Sequence, residues 1–526
     1  MRIKSMRAMS AAVRQAYRRG EEEETLEPLV LFDGEGSPVG RVGKGDSVVF
    51  YNIRGEREVE LTRSLVENGF KEFPVVEGMG LHFVTMVEYQ RGLPVEVAFP
   101  PAGVLTDTLS DVLSGQGLRQ AKVTEAEKAA HITYFLNGKK GEPLPGEERV
   151  IVPTRKDVVL FDEAPEMSIS RVSEAVVDKI SDRACDIVFV NFPNVDVVGH
   201  IENEQAVIRA VEAVDAHTGR VVDKALRAGM QVIVTADHGT VERWLYPDGV
   251  VDTGHTDSPV PFILAGMDAG LTLRKEGELA DVAPTVLEIM GIPCPSTMTG
   301  RSLIEAGGNL QTLRRRLLFI ILDGWGINED RTGNLIARAV TPVMDGLWAR
   351  FPHSELKAAG EAVGLPEGTV GNSEVGHLHL GAGRRVYSDR SRIDRAIRDG
   401  SFFRNSAFLK AVTAAKRNGR SLHLMGIVSF FSSHGSVDHL MALMEMAKRE
   451  GLEDVFVHAM LGRRGEQPES GANYVEMIEK KAEEIGVGRV VSVIGRYWSM
   501  DREENWDRVE KTYRMLIKGK GTPVYG

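Results

Sequence analysis

Short hydrophobic runs alternate along this chain with longer amphipathic stretches. Three runs stand out, at 186–191, 231–235 and 317–322, and each is apolar with little interruption. The stretches 204–228 and 403–418 instead place apolar residues at helical spacing. Apolar runs of this length are typical of strands buried on both faces of a parallel sheet. Their alternation with helices predicts an α/β fold.

Polar residues follow these three runs directly. The first run ends at Asn191, the second leads into Asp237 and His238, and the third leads into Asp323. Ligands of open α/β sheets bind outside the carboxyl ends of the strands. We therefore expect a functional site at this edge of the sheet.

Size and charge exclude several classes of protein. A chain of 526 residues suggests two to four domains, and its formal net charge of −11 argues against a nucleic-acid binder. The longest apolar runs, such as 317–322, are far shorter than the ~20 residues of a membrane helix. Cys185 and Cys294 are too few for a disulfide framework and fit a reducing cytosol. We expect a cytoplasmic protein with no nucleic-acid or membrane partner.

The first twenty residues carry basic side chains and no acidic ones. This composition resembles that of a transit peptide. The alternative, which we favour, is an amphipathic surface helix that ends at Gly20. The glutamates at 21–24 then form a solvated charge run.

Two segments are candidate domain seams. Pro100, Pro101 and Gly103 precede a predicted helix at 105–115. The stretch 307–316 begins with two glycines and an asparagine and ends in three arginines. It has the composition of a linker before the strand that follows.

Several Asp and His residues have spacings that suit metal binding. Asp196 and His200 are four apart, so a helical turn would place both on one side, where they could hold a metal ion. Most such pairs, however, are caps or surface pairs. Asp237 and His238 at a strand end could be ligands or could cap the next helix. His255 lies in a loop, where a lone histidine is usually only solvated.

Asp323 and Ser373 also have two interpretations each. Asp323 directly follows six apolar residues and is either a helix N-cap or a metal ligand. Ser373 follows a Gly-Asn turn at a predicted helix start. It is either an N-cap or a nucleophile, because helix N-termini stabilise phosphate and a metal can activate the hydroxyl.

Taken together, these residues lie in longer strings that identify a family. The strings are DGWG (323–326), GNSEVGH (371–377), TADHG (235–239), GRYWSMDR (495–502), APTVL (283–287), MTG (298–300) and EKAAH (127–131). The chain resembles the cofactor-independent phosphoglycerate mutases, which are members of the alkaline-phosphatase superfamily. The resemblance covers nearly the whole chain, and GNSEVGH is its most specific string.

The resemblance implies two α/β domains in an unusual order. The family's DGWG strand lies near the amino terminus and its DHG strand lies late, whereas here the late half comes first. The chain therefore resembles a circular permutant, natural or engineered, with the usual termini joined near 303–316. An alkaline-phosphatase-like parallel-sheet phosphatase domain would span 103–386, and a smaller α/β transferase domain would combine 1–102 with 387–526. Residues 507–519 and 11–31 would be neighbours across the new cut.

The resemblance also implies a reaction and its cofactors. The family interconverts 3-phosphoglycerate and 2-phosphoglycerate, a step of glycolysis, through a phosphoserine intermediate. It uses two divalent metals, expected here to be Mn²⁺, and no bisphosphoglycerate. One metal site would use Asp196, His200 and His255, and the other Asp323, Ser373, Asp237 and His238.

The resemblance also implies which residues act on the substrate or bind it. Ser373 would take the phosphoryl group and return it, His434 would help proton transfer, and Lys128 would contact the phosphoryl group. The glycerate carboxylate and phosphate would be bound by Arg54, Arg57, Arg464, Arg496 and Arg502, because guanidinium groups bind such anions bidentately. The expected partner is this small phosphorylated glycerate, and the protein is expected to be a monomer.

Two loops depart from the family pattern. The family's SDGGVHSH is SFFSSHGS at 429–436, so the first His remains as His434 while its neighbours differ. The family's DGRD is GRRG at 462–465, which removes two carboxylates and leaves open which arginine aligns. These changes keep two alternatives open: a related phosphomutase or phosphatase for another small phosphate ester, and a non-catalytic binding protein.

Overall fold

A computed structural model describes residues 7–101, 103–246, 248–267, 270–306, 316–429, 433–462 and 470–526 of the protein. The chain divides into two compact units. Unit 1 combines Met1–Pro101 with Asp389–Gly526, and unit 2 is the continuous segment Ala102–Ser388. The assignment of the two units to a transferase and a phosphatase domain remains a prediction.

The strands, in chain order, are β1 (Leu29–Phe32), β2 (Ser47–Phe50), β3 (His82–Val87), β4 (Glu96–Phe99), β5 (Gln120–Glu125), β6 (Glu147–Val152), β7 (Ile187–Phe192), β8 (Gln231–Thr235), β9 (Val260–Ala265), β10 (Thr272–Leu273), β11 (Glu276–Glu278), β12 (Ile304–Ala306), β13 (Leu317–Leu322), β14 (His353–Lys357), β15 (Leu422–Ile427), β16 (Val455–Leu461), β17 (Arg489–Gly495) and β18 (Thr522–Tyr525).

The α-helices are α1 (Ala8–Arg18), α2 (Val59–Val66), α3 (Leu109–Gly115), α4 (Ile169–Ser181), α5 (Asn194–Gly199), α6 (Glu204–Arg227), α7 (Val282–Ile289), α8 (Pro342–Arg350), α9 (Ser373–Ala382), α10 (Asp389–Asp399), α11 (Ser406–Asn418), α12 (Val437–Arg449), α13 (Ser470–Ile485), α14 (Arg496–Ser499) and α15 (Trp506–Lys518).

Unit 2 is built on one large sheet of strand order β11-β14-β9-β8-β13-β7-β5-β6. Its centre is parallel, with β13 paired to β7 on one side and β8 on the other. These strands are buried along their whole length, because helices such as α4 and α6 pack against the sheet. The two antiparallel pairings of the large sheet both involve β9. The predicted α/β class with a buried parallel sheet is confirmed.

Unit 1 has its own sheet, of order β18-β1-β17-β16-β15-β2-β3-β4. Its neighbouring strands are parallel except for the pair β1 and β17. Strands from the two chain segments share this sheet, and β1 and β2 both pair with strands of the second segment: β1 with β17 and β18, and β2 with β15. Unit 1 has a hydrophobic core of its own.

Element bounds mostly follow the hydrophobic pattern. The runs at 231–235 and 317–322 are β8 and β13 as predicted, and the first run is shifted by one residue in β7. The helix predicted at 105–115 begins only at Leu109. The reason is a capping box, in which Thr108 accepts a hydrogen bond from the Asp111 backbone N–H and the Asp111 carboxylate accepts one from that of Thr108.

The basic amino-terminal stretch contains helix α1. Met9, Val13 and Ala16 form its buried face, which packs against α13 and β17. The Glu479 carboxylate accepts a hydrogen bond from the Met9 backbone N–H at 3.0 Å, and so satisfies an open end of the helix. Gly20 then turns the chain with a φ of 85°. These residues therefore form the amphipathic helix that we favoured.

Within the ranges that the structure describes, no helix is both long and apolar enough to cross a bilayer.

Candidate metal centre and active site

The carboxyl ends of three adjacent strands of unit 2 bring the predicted polar residues together. Asp323 follows β13 and Asp237 lies two residues beyond β8. Asp196 lies in the short helix α5 that follows β7, and its backbone N–H donates to the Asp323 carbonyl at 3.1 Å. Neither Asp323 nor Asp237 begins an α-helix, so the capping interpretation of these two residues is wrong.

Gly324 allows this close approach of α5 to β13. Its φ of 83° lies in the left-handed region, which favours glycine. A Cβ atom at this position would lie 2.9 Å from the Asp196 Cα. The first glycine of the DGWG string is thus required by the position of Asp196.

Ser373 is the first residue of α9, and its neighbour Asn372 is the N-cap. The Asn372 side-chain oxygen accepts a hydrogen bond from the Val375 N–H at 3.0 Å. The Ser373 hydroxyl is therefore available for other contacts, and the N-cap interpretation of Ser373 is wrong. Its Oγ lies 2.6 Å from Lys128 Nζ and 2.9 Å from His238 Nε2.

Asp196 lies at the centre of a histidine cluster. Its Oδ1 is 3.1 Å from His255 Nε2 and 3.3 Å from His200 Nε2. The other ring nitrogens face backbone carbonyls: His200 Nδ1 lies 2.6 Å from Thr253 O, and His255 Nδ1 lies 3.0 Å from Gly371 O. Such contacts fix the tautomer of a histidine and leave its Nε2 free to bind a metal. The predicted proximity of Asp196, His200 and His255 is thus present.

A second group contains Asp237, Asp323 and a histidine that the sequence analysis did not assign, His377. The ligand atoms of these buried residues all lie within 4.8 Å of one another. His377 Nδ1 is 3.1 Å from Asp237 Oδ2 and 2.8 Å from the Ser373 carbonyl oxygen. Asn191 Nδ2 donates to Asp323 Oδ2 at 2.8 Å. The spacing of His377, four residues after Ser373 on one helix, is the signal that could have found it.

His238 lies between the two groups. Its Nε2 is 3.5 Å from Asp323 Oδ1 and 3.6 Å from both Asp196 Oδ1 and Asp237 Oδ2. By ligand-atom distances it groups with Asp196 and His255, whereas the resemblance placed it with Asp237, Asp323 and Ser373. The division of ligands between two metals remains a prediction.

Lys128 is the cation of this cluster. Its Nζ lies 2.7 Å from Asp196 Oδ2 and 2.9 Å from Asp323 Oδ1. Burial alone would lower the pKa of Lys128, but the attraction of these carboxylates outweighs it and raises the pKa. Burial likewise opposes charge on His238, yet the surrounding carboxylates raise its pKa to about 10. The cluster therefore attracts positive charge strongly.

The donor set fits divalent cations. Asp237 Oδ2 is buried and, among the described residues, accepts no hydrogen bond. Although His377 Nδ1 lies 3.1 Å away, a buried carboxylate oxygen that accepts no hydrogen bond is costly unless a cation binds it. Carboxylate and imidazole ligands together suit first-row divalent metals.

Two of the residues that the resemblance assigns to substrate in unit 1, Arg54 and Arg502, meet at one exposed carboxylate. Arg54 Nε and Arg502 NH1 contact opposite oxygens of Glu56, at 2.6 and 2.5 Å. Arg57 NH1 donates to the Met500 carbonyl at 3.1 Å.

The other three residues of unit 1 that the resemblance assigns to substrate lie in different surroundings or outside the described residues. Arg496 Nε lies 3.5 Å from a Glu24 carboxylate oxygen. His434 is buried, with Nδ1 3.4 Å from Glu58 Oε1. Arg464 lies outside the described residues.

Comparison with known families agrees with this site. A model of the Metalloenzyme superfamily matches residues 24–294, just over half of the chain. The chain therefore belongs to the Metalloenzyme superfamily, and it binds divalent metal. A second model, of the N-terminus of BPG-independent PGAM, matches residues 393–525.

Curated relatives carry the name 2,3-bisphosphoglycerate-independent phosphoglycerate mutase. That of Moorella thermoacetica is 43% identical over 300 residues, which are 57% of this chain and 57% of the relative. That of Thermomicrobium roseum is 44% identical over 302 residues, 56% of this chain and 57% of the relative. That of Lachnoclostridium phytofermentans is 50% identical over 208 residues, 40% of each. The chain spans little more than half the length of the curated relatives it matches.

Among solved structures, phosphoglycerate mutase of Leishmania mexicana at low cobalt concentration is 31% identical, with a TM-score of 0.37. The match covers 52% of this chain and 53% of that one.

Proposed function

We propose that this protein is a metal-dependent phosphoglycerate mutase, which interconverts 3-phosphoglycerate and 2-phosphoglycerate through a phosphoserine at Ser373. The observation that carries the proposal is the surroundings of the Ser373 hydroxyl. Lys128, His238 and Asp323 all lie within 3.2 Å of its Oγ. The names of the curated relatives support the choice of substrate.

The metals would be held by the two groups described above. The ligands would be Asp196, His200, His255, Asp237, His238 and Asp323, with His377 beside them. When bound, two divalent cations, which we propose to be Mn²⁺, supply Lewis acidity that lowers the pKa of the serine hydroxyl and stabilises charge on the phosphoryl group.

The chain's own groups then bind and orient the phosphoryl group. Lys128 Nζ, 2.6 Å from the Ser373 Oγ, is placed to contact a phosphoryl oxygen during transfer. The backbone N–H groups at the start of α9 add the positive end of the helix dipole. In unit 1, we assign Arg54, Arg57 and Arg502 to the anionic groups of the glycerate, because guanidinium groups bind carboxylates and phosphates bidentately.

The test is turnover of 3-phosphoglycerate with added Mn²⁺ and no bisphosphoglycerate. A coupled enolase assay reads the product, and free phosphate is followed in parallel. We expect 2-phosphoglycerate without phosphate release, and loss of activity in Ser373→Ala. A matched control is Ser354→Ala, since Ser354 is a buried serine of β14 whose hydroxyl donates to the Arg274 carbonyl, away from the cluster. Failure to form 2-phosphoglycerate would overturn the proposal.

A second candidate is a phosphomutase or phosphatase for another small phosphate ester. The altered strings at 429–436 and 462–465 favour it, although 430–432 and 463–465 lie outside the described residues. A panel of phosphate esters separates the two: better turnover of any other ester than of both phosphoglycerates would favour this candidate. Any turnover that Ser373→Ala abolishes would exclude a non-catalytic binding protein.

We also infer that the chain order is circularly permuted. The model named for the family's N-terminus matches residues 393–525, which supports the inference. Across the inferred cut, β1 pairs with β18, and Lys511 Nζ lies 2.8 Å from a Glu27 carboxylate oxygen. The inferred joint near 303–316 lies mostly outside the described residues. The test is a chain that begins at residue 316, joins 526 to 1 by a short linker and ends at 306, which we expect to fold and retain activity.

A further inference from the structure

Unit 1 contains a buried carboxylate next to a residue that the resemblance assigns to proton transfer. Glu58, immediately before α2, is fully buried. Its Oε1 accepts a hydrogen bond from Asn52 Nδ2 at 2.7 Å, and its Oε2 accepts one from the Arg57 backbone N–H at 3.0 Å. The carboxylate is thus held from both sides in one orientation.

The hydrogen bonds of Asn52 determine which atom of its side-chain amide faces Glu58. The Asn52 Oδ1 accepts a hydrogen bond from the Ile427 N–H at 2.8 Å, so its amide nitrogen must point to Glu58. The same Asn52 precedes Ile53, whose N–H donates to the His434 carbonyl at 2.7 Å. The segment that contains Asn52 therefore fixes both Glu58 and the backbone of His434.

The titratable ring beside Glu58 is that of His434. His434 Nδ1 lies 3.4 Å from Glu58 Oε1, an ion-pair contact rather than a hydrogen bond, and both residues are buried. A neutral ring with its N–H on Nδ1 turns the positive end of that bond toward the carboxylate, whereas the other tautomer would turn a lone pair toward it. A carboxylate beside one ring nitrogen sets the tautomer of a histidine and leaves the other nitrogen as the acceptor.

We propose that Glu58 is the positioning residue of His434: it keeps the proton of the ring on Nδ1 and so leaves Nε2 as the group that exchanges a proton with the glycerate hydroxyls. This inference rests on the proposed mutase function. No bond other than those to the exchanged proton changes at His434, because the phosphoryl group moves to and from Ser373. Glu58 also places a carboxylate at His434 in a chain whose 462–465 string lacks the two acids of the family pattern.

The first readout is independent of activity. Protein labelled with ¹⁵N in its histidines shows by NMR which ring nitrogen of His434 carries a proton, and the spectrum of His434→Asn identifies the signal. We expect an Nδ1-protonated ring in the native protein. In Glu58→Gln we expect the proton to shift toward Nε2, because a neutral amide stabilises the Nδ1 proton less than a carboxylate does.

The second readout is kinetic. We expect kcat of Glu58→Gln to fall on the order of 10- to 100-fold, as for other residues that orient a functional histidine. KM should change less than kcat does, because Glu58 contacts Arg57 only at its backbone N–H and leaves the guanidinium group in place. Glu58→Asp keeps the charge and should restore part of the loss. Glu60→Gln is the matched control: Glu60 is a buried glutamate of α2, bound to the Glu504 N–H at 3.0 Å. It should leave the His434 signal and kcat unchanged.

The outcomes separate this inference from the function on which it rests. An unchanged His434 signal in Glu58→Gln, or a loss of kcat no greater than in Glu60→Gln, overturns the role of Glu58 even when the native protein is a mutase. A native protein without mutase activity overturns the proposed function, and with it the proton exchange assigned to His434.

Discussion

Asn372 caps helix α9, of which Ser373 is the first residue. The Ser373 hydroxyl is therefore not needed as a cap and lies 2.6 Å from Lys128 Nζ. A serine at a helix start often caps the helix itself, whereas here Asn372 provides the cap and the Ser373 hydroxyl contacts Lys128. The GNSEVGH string encodes both, since its asparagine supplies the cap and its serine is the nucleophile that we propose.

Replacing the cap tests this relationship. Asn372→Ala should cost about 1 kcal/mol of unfolding free energy and should lower kcat more than tenfold, because α9 would no longer hold Ser373 in place. Asn405→Ala is the control, since Asn405 caps α11 of unit 1 in the same way. Urea unfolding and the mutase assay should show similar destabilisation in both variants and a loss of activity in Asn372→Ala alone. Equal activities would mean that the cap does not position the serine.

Removing Lys128 should make the metal-free protein less stable. Lys128→Met leaves the carboxylates of Asp196 and Asp323 buried without their cation, and breaking a buried pair in this way costs about 3–5 kcal/mol. Added Mn²⁺ should recover most of the loss, because cations would then occupy the same carboxylates. Thermal unfolding in EDTA measures the loss of stability, and thermal unfolding in Mn²⁺ measures its recovery. A metal-free variant as stable as the native protein would contradict the prediction.

Replacing His377 should weaken the binding of one of the two metal ions. His377→Asn removes the ring beside Asp237 Oδ2, and we expect Mn²⁺ to bind one site about 10- to 100-fold more weakly, as when ligands or their supporting partners are lost. Calorimetric titration with Mn²⁺ after chelation, with elemental analysis, gives the stoichiometry and the affinities. The control is His353→Asn, an exposed histidine of β14. Two metals bound with native affinity in His377→Asn would exclude a role in binding, and full activity with no metal present would exclude the metal centre itself.

Gly326 should tolerate no side chain. A Cβ there would overlap the buried Glu242 carboxylate, at distances shorter than van der Waals contact. This carboxylate accepts hydrogen bonds from the Thr240 N–H and the Thr256 hydroxyl. Gly326→Ala should therefore cost about 1–3 kcal/mol of stability by overpacking and weaken metal binding, since these threonines flank His238 and His255 in sequence. Gly141→Ala is the control, because open space surrounds that glycine. Native-like stability of Gly326→Ala would show that Glu242 can move.

Stability should rise with pH through Lys122, a buried lysine of β5 away from the metal cluster. Burial lowers the pKa of Lys122 to about 7 despite the attraction of Glu147. In the unfolded chain the pKa returns to about 10.4, so between these values the unfolded state binds one proton more. Lys122 therefore adds a slope of at most about 1.4 kcal/mol per pH unit to the unfolding free energy between pH 7 and 10.4. Urea unfolding of Lys122→Met should show this slope reduced, and an unchanged slope would refute the lowered pKa.

The hydrophobic pattern was sufficient to predict the central strands of unit 2. A strand that is buried on both faces is apolar along its length and therefore stands out in the sequence. The pattern misplaced the start of α3, because a capping box overrides periodicity there. Asp196, Asp237 and Asp323 could be expected near one another, since their strands end at one edge of the sheet.

The contacts of His377 and Glu58 could not be predicted from the sequence in the same way. His377 contacts Asp237 because α9 approaches β8, as Gly376 shows: a Cβ there would lie 2.7 Å from the Asp237 Cβ. Glu58 contacts a residue that is distant in sequence, His434. Such contacts depend on tertiary packing, which spacing in the sequence does not reveal.

The pairing of β2 with β15 has a consequence for synthesis of the chain. Ser47 and Leu422 face each other in the sheet of unit 1, with all of unit 2 between them in sequence. A ribosome adds about 5–20 residues per second, so β2 emerges tens of seconds before its partner strand exists. Unit 2 can fold during that interval, whereas the first segment of unit 1 must wait with open strand edges, which are prone to aggregate. The amino-terminal segment is therefore exposed to aggregation for longer during synthesis than any part of unit 2.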